Sequence, residues 1–244
     1  VYSIVLLIGF ALPIIFVLLK DYLNDKILDR KDIEAVTKYS IIGHVIHSDK
    51  ATNLVVVDYP KSAISESFRT IRTNLQYYTH SKNNQVILIT SSIVGEGKTF
   101  ITTNLASILA LNGLKTVILG FDLRKPKIFP DFGLVNEKGL SSFLVNKCEL
   151  EEIIQHTGLQ NLDLITAGPV PPNPSELISQ AKTDELFAKL KEKYDYIILD
   201  TPPIGIVTDP LLLIQYADVT LYIVRQNYTP KKVFASIVKD IEKN

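Results

Sequence analysis

The sequence has no methionine, one cysteine and no excess charge of either sign. Each absence excludes something. Val1 stands where an open reading frame would place Met, so the chain is expected to be a piece of a longer protein. One cysteine, Cys148, excludes a disulfide framework and suits a domain kept in a reducing compartment. Nothing around Cys148 suggests an activated thiolate, and it reads as structural. Basic and acidic residues number 26 each, so no net field points to nucleic acid or an acidic partner. No internal repeat and no low-complexity stretch is found.

What is present is apolar and unevenly placed. Of the 244 residues 46% are hydrophobic, enough for one α/β domain with an appendage. The first 19 residues, VYSIVLLIGFALPIIFVLL, carry no charge. As a helix they would rise about 28 Å, close to the hydrocarbon thickness of a bilayer. Gly9 and Pro13 are tolerable in such a helix. No basic leader precedes the run and no small-residue cleavage site follows it, so it does not read as a signal peptide. Lys20, Lys26, Arg30 and Lys31 follow, which places the C-terminal side in the cytoplasm. A transmembrane helix is therefore expected over 1–20. A juxtamembrane linker over 21–58 follows, then a cytoplasmic domain over 59–244. The competing reading is a buried core helix, but nothing else in the chain is built to cover so uniform an apolar element.

Within the linker, Asp21 to Lys38 is mixed in charge and reads as a helix continuing from the span. Ser40 to Val57, with Gly43, reads as a connection holding one strand or loop. His44 and His47 are assigned no chemistry. Lys61 to His80 has helical periodicity through Ala63, Phe68, Ile71, Leu75 and Tyr78. From Gln85 onward short β-branched runs alternate with helical segments. Strands are predicted at 86–90, 116–121, 162–166, 196–200 and 219–225. Helices are predicted at 98–111, 150–156, 174–193, 210–215 and 230–243. Such alternation implies an α/β fold with a mostly parallel sheet and helices on both faces.

The chemistry gathers at Gly95-Glu96-Gly97-Lys98-Thr99. An apolar strand ends at Thr90, a loop follows, and a helix opens at Lys98. Backbone N–H groups of such a loop converge on phosphate oxygens, and the helix dipole adds favourable potential. Lys98 would neutralise the β- and γ-phosphates and Thr99 would offer a hydroxyl to Mg²⁺. Gly95 through Thr99, with Phe100, form the candidate nucleotide-binding run. Ser92 stands where the G-x-x-x-x-G-K-[ST] pattern has its first glycine. Asp200 ends the apolar run Tyr196–Leu199, where an acid could hold the metal shell or orient a nucleophile. Asp122, just past Phe121, points to the same edge, and Arg124 follows. Two acids and an arginine suit phosphoryl transfer better than binding alone.

These elements together resemble the bacterial tyrosine kinases of the capsule and exopolysaccharide family. The resemblance covers about residues 59–243. It rests on Ile89–Thr99 as Walker A, on Val117–Arg124 as Walker A′, and on Ile197–Pro202 as Walker B. It also rests on Glu66, Arg69 and Arg72 as an E-x-x-R-x-x-R helix, and on the segment from Gly168 to Leu177. The membrane segment looks like the second transmembrane helix of a polysaccharide co-polymerase fused to the kinase. An engineered fusion of activator tail and kinase would read similarly. The resemblance implies a P-loop tyrosine autokinase using ATP and Mg²⁺. Lys98, Asp122, Asp200 and Arg124 would be catalytic, with Thr99, Asp122 and Asp200 at the metal.

It further implies a ring homo-oligomer, expected as an octamer, in the bacterial inner membrane. Glu66, Arg69 and Arg72 would mediate assembly, although from spacing alone Glu66 and Arg69 read as an intrahelical pair. The implied partners are the tyrosine-rich tail of a neighbouring subunit, the polysaccharide export machinery and a phosphatase. No tyrosine cluster closes this sequence, so that tail is expected to lie outside it. One position departs from the family: Gly120 replaces the first Asp of Walker A′. The base role it would have filled passes to Asp122, to Asp200 or to no residue. Two rivals stay open. A Mrp/MinD-like ATPase would carry a signature lysine where Ile93 stands. A nucleotide-gated structural ring would bind ATP without transferring phosphate.

Overall fold

A computed structural model describes residues 2–22, 24–78 and 84–242, with the side chains of the first helix described only in part. The predicted helix ends at His80 and Lys243 lie outside the described residues. Contacts group Val1–Thr37 with Arg225–Asn244 as one unit, and Lys38–Val224 as another. That division differs from the boundaries expected at 20 and 58.

In the first unit, α1 (Tyr2–Tyr22) contains Pro13 and exposes Phe10, Ile14, Phe16 and Leu18. Among the described residues no helix is long and apolar enough to cross a membrane. A helix is therefore present at the expected place, but the transmembrane span read from 1–20 is not supported; part of it falls outside the described side chains. The predicted continuation to Lys38 is corrected. The helix ends, and a separate short α2 (Arg30–Glu34) begins behind a capping box between Asp29 and Asp32. The segment between them pairs with the chain's other end. Ile27 donates its N–H to Thr229 (2.9 Å), Asn227 to Ile27 (2.9 Å) and Lys231 to Asp25 (2.7 Å). Lys231 also forms an ion pair with Asp32 at 2.6 Å. Lys231 opens α10 (Lys231–Ile241), which buries Phe234 and Val238.

The second unit is built on β1 (Gln85–Ser91), β2 (Thr116–Gly120), β3 (Ile154–His156), β4 (Leu162–Ile165), β5 (Tyr196–Asp200) and β6 (Val219–Ile223). Their order across the sheet is β3-β4-β2-β5-β1-β6. All neighbours are parallel except β3, which runs antiparallel to β4 at the edge. The apolar runs divide by alternation between two cores. Val86, Leu88, Val117, Leu119, Ile197 and Leu199 face one. Ile87, Ile89, Ile118 and Ile198 face the other. The first core is closed by α6 (Leu140–Leu144), α7 (Pro174–Ile178), α8 (Ala181–Lys193) and α9 (Asp209–Ile214). The second is closed by α3 (Val55–Asp58), α4 (Ala63–Tyr78) and α5 (Lys98–Leu111).

Three segments correct the sequence reading. The helix expected over 150–156 is a 3-10 turn at Leu150–Glu152 followed by β3. Backbone groups along β4 offer it partners, pairing Ile154 with Ile165. The helix expected over 174–193 breaks in two, because Gln180 adopts an extended backbone. Thr183 Oγ1 then donates to the Ile178 carbonyl at 2.7 Å, which satisfies the interrupted helix end. The connection expected over 40–57 ends in α3, with Val55 and Val56 fully buried.

The helix α4 docks through Ile64, Phe68, Ile71 and Leu75, spaced to share one face. Phe68 is fully buried, its ring tilted against Phe100 at 6.0 Å between centroids. Phe68→Ala is expected to cost about 3–5 kcal/mol of unfolding free energy, read by urea denaturation, through lost burial and the cavity left behind.

Candidate active site

The loop from Ser92 to Gly97 joins β1 to α5. Gly95 (φ 88°) and Gly97 (φ 94°) both lie in the left-handed region, where only glycine is free of a Cβ penalty. Gly97 caps α5, so the helix N-terminus opens onto the loop. Ser92, in place of the pattern's first glycine, is buried, and its hydroxyl is hydrogen-bonded to that of Tyr222 at 2.8 Å. The serine is therefore accommodated by β6 rather than disturbing the loop. Glu96 turns its carboxylate inward and accepts the Ile93 N–H at 2.7 Å, bracing the loop from within. The ring of Phe100 lies against Phe68, so that side chain belongs to the core contact with α4.

Lys98 donates to Ser91 Oγ at 3.1 Å, and Ser91 donates in turn to the Ile93 carbonyl at 3.0 Å. Burial lowers the lysine pKa, while the charges of Asp200, Glu96 and Asp122 oppose that shift. Asp200 ends β5 between Ile89 of β1 and Gly120 of β2. It is only 4% exposed. Its carboxylate accepts from Thr99 Oγ1 at 2.9 Å and from Thr102 Oγ1 at 3.2 Å. Burial pushes its pKa up to about 6, against the pull of Thr99 and Lys98. Asp122 sits just past β2, half-buried, and its Oδ1 accepts the N–H groups of Lys125 (3.0 Å) and Arg124 (3.3 Å). Its charge is felt at both Lys98 and Asp200. Lys98, Thr99, Asp122 and Asp200 are thus brought to one edge of the sheet.

Arg124 is placed differently. Its guanidinium forms a two-point ion pair with Asp209, Nε to Oδ2 at 2.9 Å and Nη2 to Oδ1 at 3.0 Å. Ser175 joins both partners, accepting from Arg124 at 3.1 Å and donating to Asp209 at 2.6 Å. Burial would raise the Asp209 pKa, but the Arg124 and Ser175 bonds outweigh it and hold the carboxyl below its ordinary value. Neither Asp209 nor Ser175 was singled out from the sequence as a site residue. The only local signals were Pro210 and Pro174, which place each beside a helix start.

On α4, Glu66 and Arg69 form an intrahelical ion pair, and Arg69 also donates to the Pro60 carbonyl at 2.7 Å. Arg72 Nε is buried without a hydrogen-bond partner. At position 120 a Cβ would meet Ala167 N at 3.3 Å, Ile128 Cγ2 at 3.5 Å and Ile165 O at 3.6 Å. The place of the missing acid is therefore walled by backbone and an isoleucine.

The donor set fits a magnesium nucleotide. Among the described residues no group of three or more His, Cys, Asp and Glu could hold a metal. One hydroxyl and one or two carboxylates suit an ion that completes its shell with phosphate oxygens and water. Burial disfavours the ionised form of Asp200, and a bound cation would favour it again, beyond what the two hydroxyls and the Lys98 charge supply.

The parallel sheet, the glycine loop opening a helix and an acid on the adjacent strand define a P-loop nucleotide-binding protein. An AAA domain family matches residues 84–243. The tyrosine-protein kinase YwqD of Bacillus subtilis (strain 168) is 38% identical over 180 residues, covering 74% of this chain and 76% of that protein. The crystal structure of the chimerical protein CapA2B2 superposes with a TM-score of 0.82 at 37% identity, over 88% of this chain and 93% of the other. The kinase domain of Escherichia coli tyrosine kinase ETK gives 0.75 at 30% identity, over 90% and 84%. The chain belongs to the bacterial tyrosine-protein kinase family.

Asp200 sets a pH test. Its pKa near 6 exceeds the unfolded value of about 3.9, so the nucleotide-free fold is favoured at low pH and loses stability as pH rises through 6. Relative to wild type, Asp200→Asn is expected to gain about 2 kcal/mol of unfolding free energy between pH 4 and pH 8. Urea titrations at the two pH values measure this.

Proposed function

We propose that the chain is a Mg²⁺-dependent protein tyrosine kinase transferring the γ-phosphoryl group of ATP to a tyrosine hydroxyl. The observation that carries this is the Thr99 hydroxyl held 2.9 Å from the Asp200 carboxylate, one residue from Lys98 at the mouth of the phosphate loop. Lys98 and the loop amides would hold the β- and γ-phosphates. Thr99, Asp200 and Asp122 would hold Mg²⁺, which when bound would supply positive charge to the phosphates. The new bond forms from tyrosine Oη to phosphorus. The hydroxyl, with a pKa of ~10, gives its proton to a nearby acceptor. Asp122 is assigned that role, because Gly120 offers no side chain and Asp200 is enclosed by Thr99 and Thr102. ATP and ADP are the nucleotides.

The same reading extends to the setting. We place the chain at the bacterial inner membrane, with a span at 1–20, a linker at 21–58 and a cytoplasmic kinase domain over 59–244. The uncharged first 19 residues, followed by Lys20, Lys26, Arg30 and Lys31, support this. The chain covers 25% of the Escherichia coli (strain K12) kinase etk, leaving most of that protein's length unmatched. Phosphorylation would act in trans within a ring, on a tyrosine-rich tail of the neighbouring subunit. The Glu66 side chain, 65% exposed, and the partly exposed Arg69 leave a charged face of α4 open to a neighbour, which supports an interface there. The ring would regulate polysaccharide polymerisation and export, reset by a phosphatase.

The test is phosphotyrosine formation on a poly(Glu,Tyr) acceptor with Mg-ATP. The chain is expected to label it, and Lys98→Ala to lower the rate at least 100-fold, since the lysine acts where charge develops. ATP hydrolysis without phosphotyrosine would instead favour the MinD-like reading. Nucleotide binding with neither activity would favour the structural ring.

A further inference from the structure

The Asp209–Arg124–Ser175 cluster lies outside the nucleotide loop, yet it joins three connections at the same sheet edge. Arg124 comes from the segment after β2, Ser175 from the first turn of α7, and Asp209 from the first residue of α9. The Asp209 side chain is fully enclosed, while that of Arg124 is 39% exposed. A buried carboxylate bound by two guanidinium nitrogens and a hydroxyl is a rigid anchor, because both oxygens of the acid are occupied. The anchored residue is two positions from Asp122. Its own N–H, with that of Lys125, donates to Asp122 Oδ1. Fixing the Arg124 side chain therefore fixes the two amides that orient the Asp122 carboxylate.

We infer that Asp209 and Ser175 are positioning residues that aim Asp122 at the metal and phosphate site by clamping Arg124. The inference deepens the kinase reading and rests on it for what Asp122 does. Arg124 thereby serves as a strut, with its guanidinium turned to Asp209. An arginine is required because a lysine cannot span both carboxylate oxygens in one plane. Removing the clamp would leave Asp122 chemically intact but free to rotate, and its metal bond would be weakened by that freedom.

The test uses the 244-residue chain and needs no phosphoryl transfer. Without nucleotide, amide exchange at Arg124 and Lys125 is expected to rise about tenfold in Asp209→Asn, while amides within β5 change less than twofold. With ADP, the Mg²⁺ concentration for half-maximal binding is expected to rise about fivefold, and metal-free ADP affinity to stay within twofold. Asp122→Asn combined with Asp209→Asn should be no worse than Asp122→Asn alone, since the second residue acts only through the first. Arg124→Lys should reproduce the Asp209→Asn behaviour. Ser175→Ala, which removes a single hydroxyl, should move exchange and Mg²⁺ dependence the same way by two- to threefold, and decides the matter should Asp209→Asn not fold. Unchanged exchange and Mg²⁺ dependence, or losses that add in the double variant, would overturn the inference. Failure of the kinase reading itself would show separately, as wild-type chain that binds Mg-ADP but forms no phosphotyrosine.

Discussion

The carboxylate of Asp200 is the constraint around which the sheet edge is arranged. It ends a strand flanked on both sides, with 4% of its surface exposed. Desolvating a carboxylate is costly unless it is hydrogen-bonded or paired. Two threonine hydroxyls from the first turns of α5 meet part of that cost. They can do so only because Gly97 starts the helix at that place, through a backbone conformation that other residues rarely adopt. The next strand residue, Thr201, closes the arrangement by donating to the Ile89 carbonyl of β1 at 2.7 Å. The phosphate loop and the acid are therefore one mechanical piece. Lys98, parked on Ser91 in this structure, lies within reach of the same charge.

The strands were legible because each is buried on both faces and reads as a short apolar run. Their boundaries came within one or two residues for β1, β2, β4, β5 and β6. What could not be read was which residues face which core, since both faces are apolar. The helix α5 and the loop before it were legible from the Gly95-to-Thr99 run set between an apolar strand and an apolar helical segment. Edge strand β3 was not, because Leu150, Ile153 and Ile154 fit a helical face as well as a strand, and its pairing with β4 is not local. At the site, Lys98, Thr99, Asp122 and Asp200 were all legible, each adjacent to an element end. Asp209 was not. Its partners Arg124 and Ser175 lie 85 and 34 residues before it, so no spacing announces the cluster.

The stretch read as a linker shows a second kind of blindness. Val55 and Val56 are fully buried beside α5 because a polar residue inside that helix reaches out to hold them. Asn104 accepts the Val56 N–H at 2.9 Å and donates to the Asn53 carbonyl at 2.6 Å. A buried asparagine in a helix interior opposes simple helical propensity. Here it provides the hydrogen bonds that an irregular segment needs before it can be packed against a core. In the sequence it was one polar letter in a helix otherwise read from its apolar face.

Gly120 brings these threads together. An aspartate there would project from β2 beside Asp200, in register with it. The Cβ alone would stand 3.3 Å from the Ala167 backbone nitrogen and 3.5 Å from Ile128. A carboxylate beyond it would be a second buried anion next to one already raised to a pKa near 6. Like charges in one enclosed site cannot both ionise without a shared cation. With glycine at 120 the site keeps one buried acid, Asp200, for the metal. The second acid is shifted outward to Asp122, half-buried and oriented by backbone amides. The buried carboxylate then supports the metal from the inside, while the outer one shares the metal and also faces an incoming hydroxyl as its proton acceptor. The outer one depends on the Arg124 segment being held still.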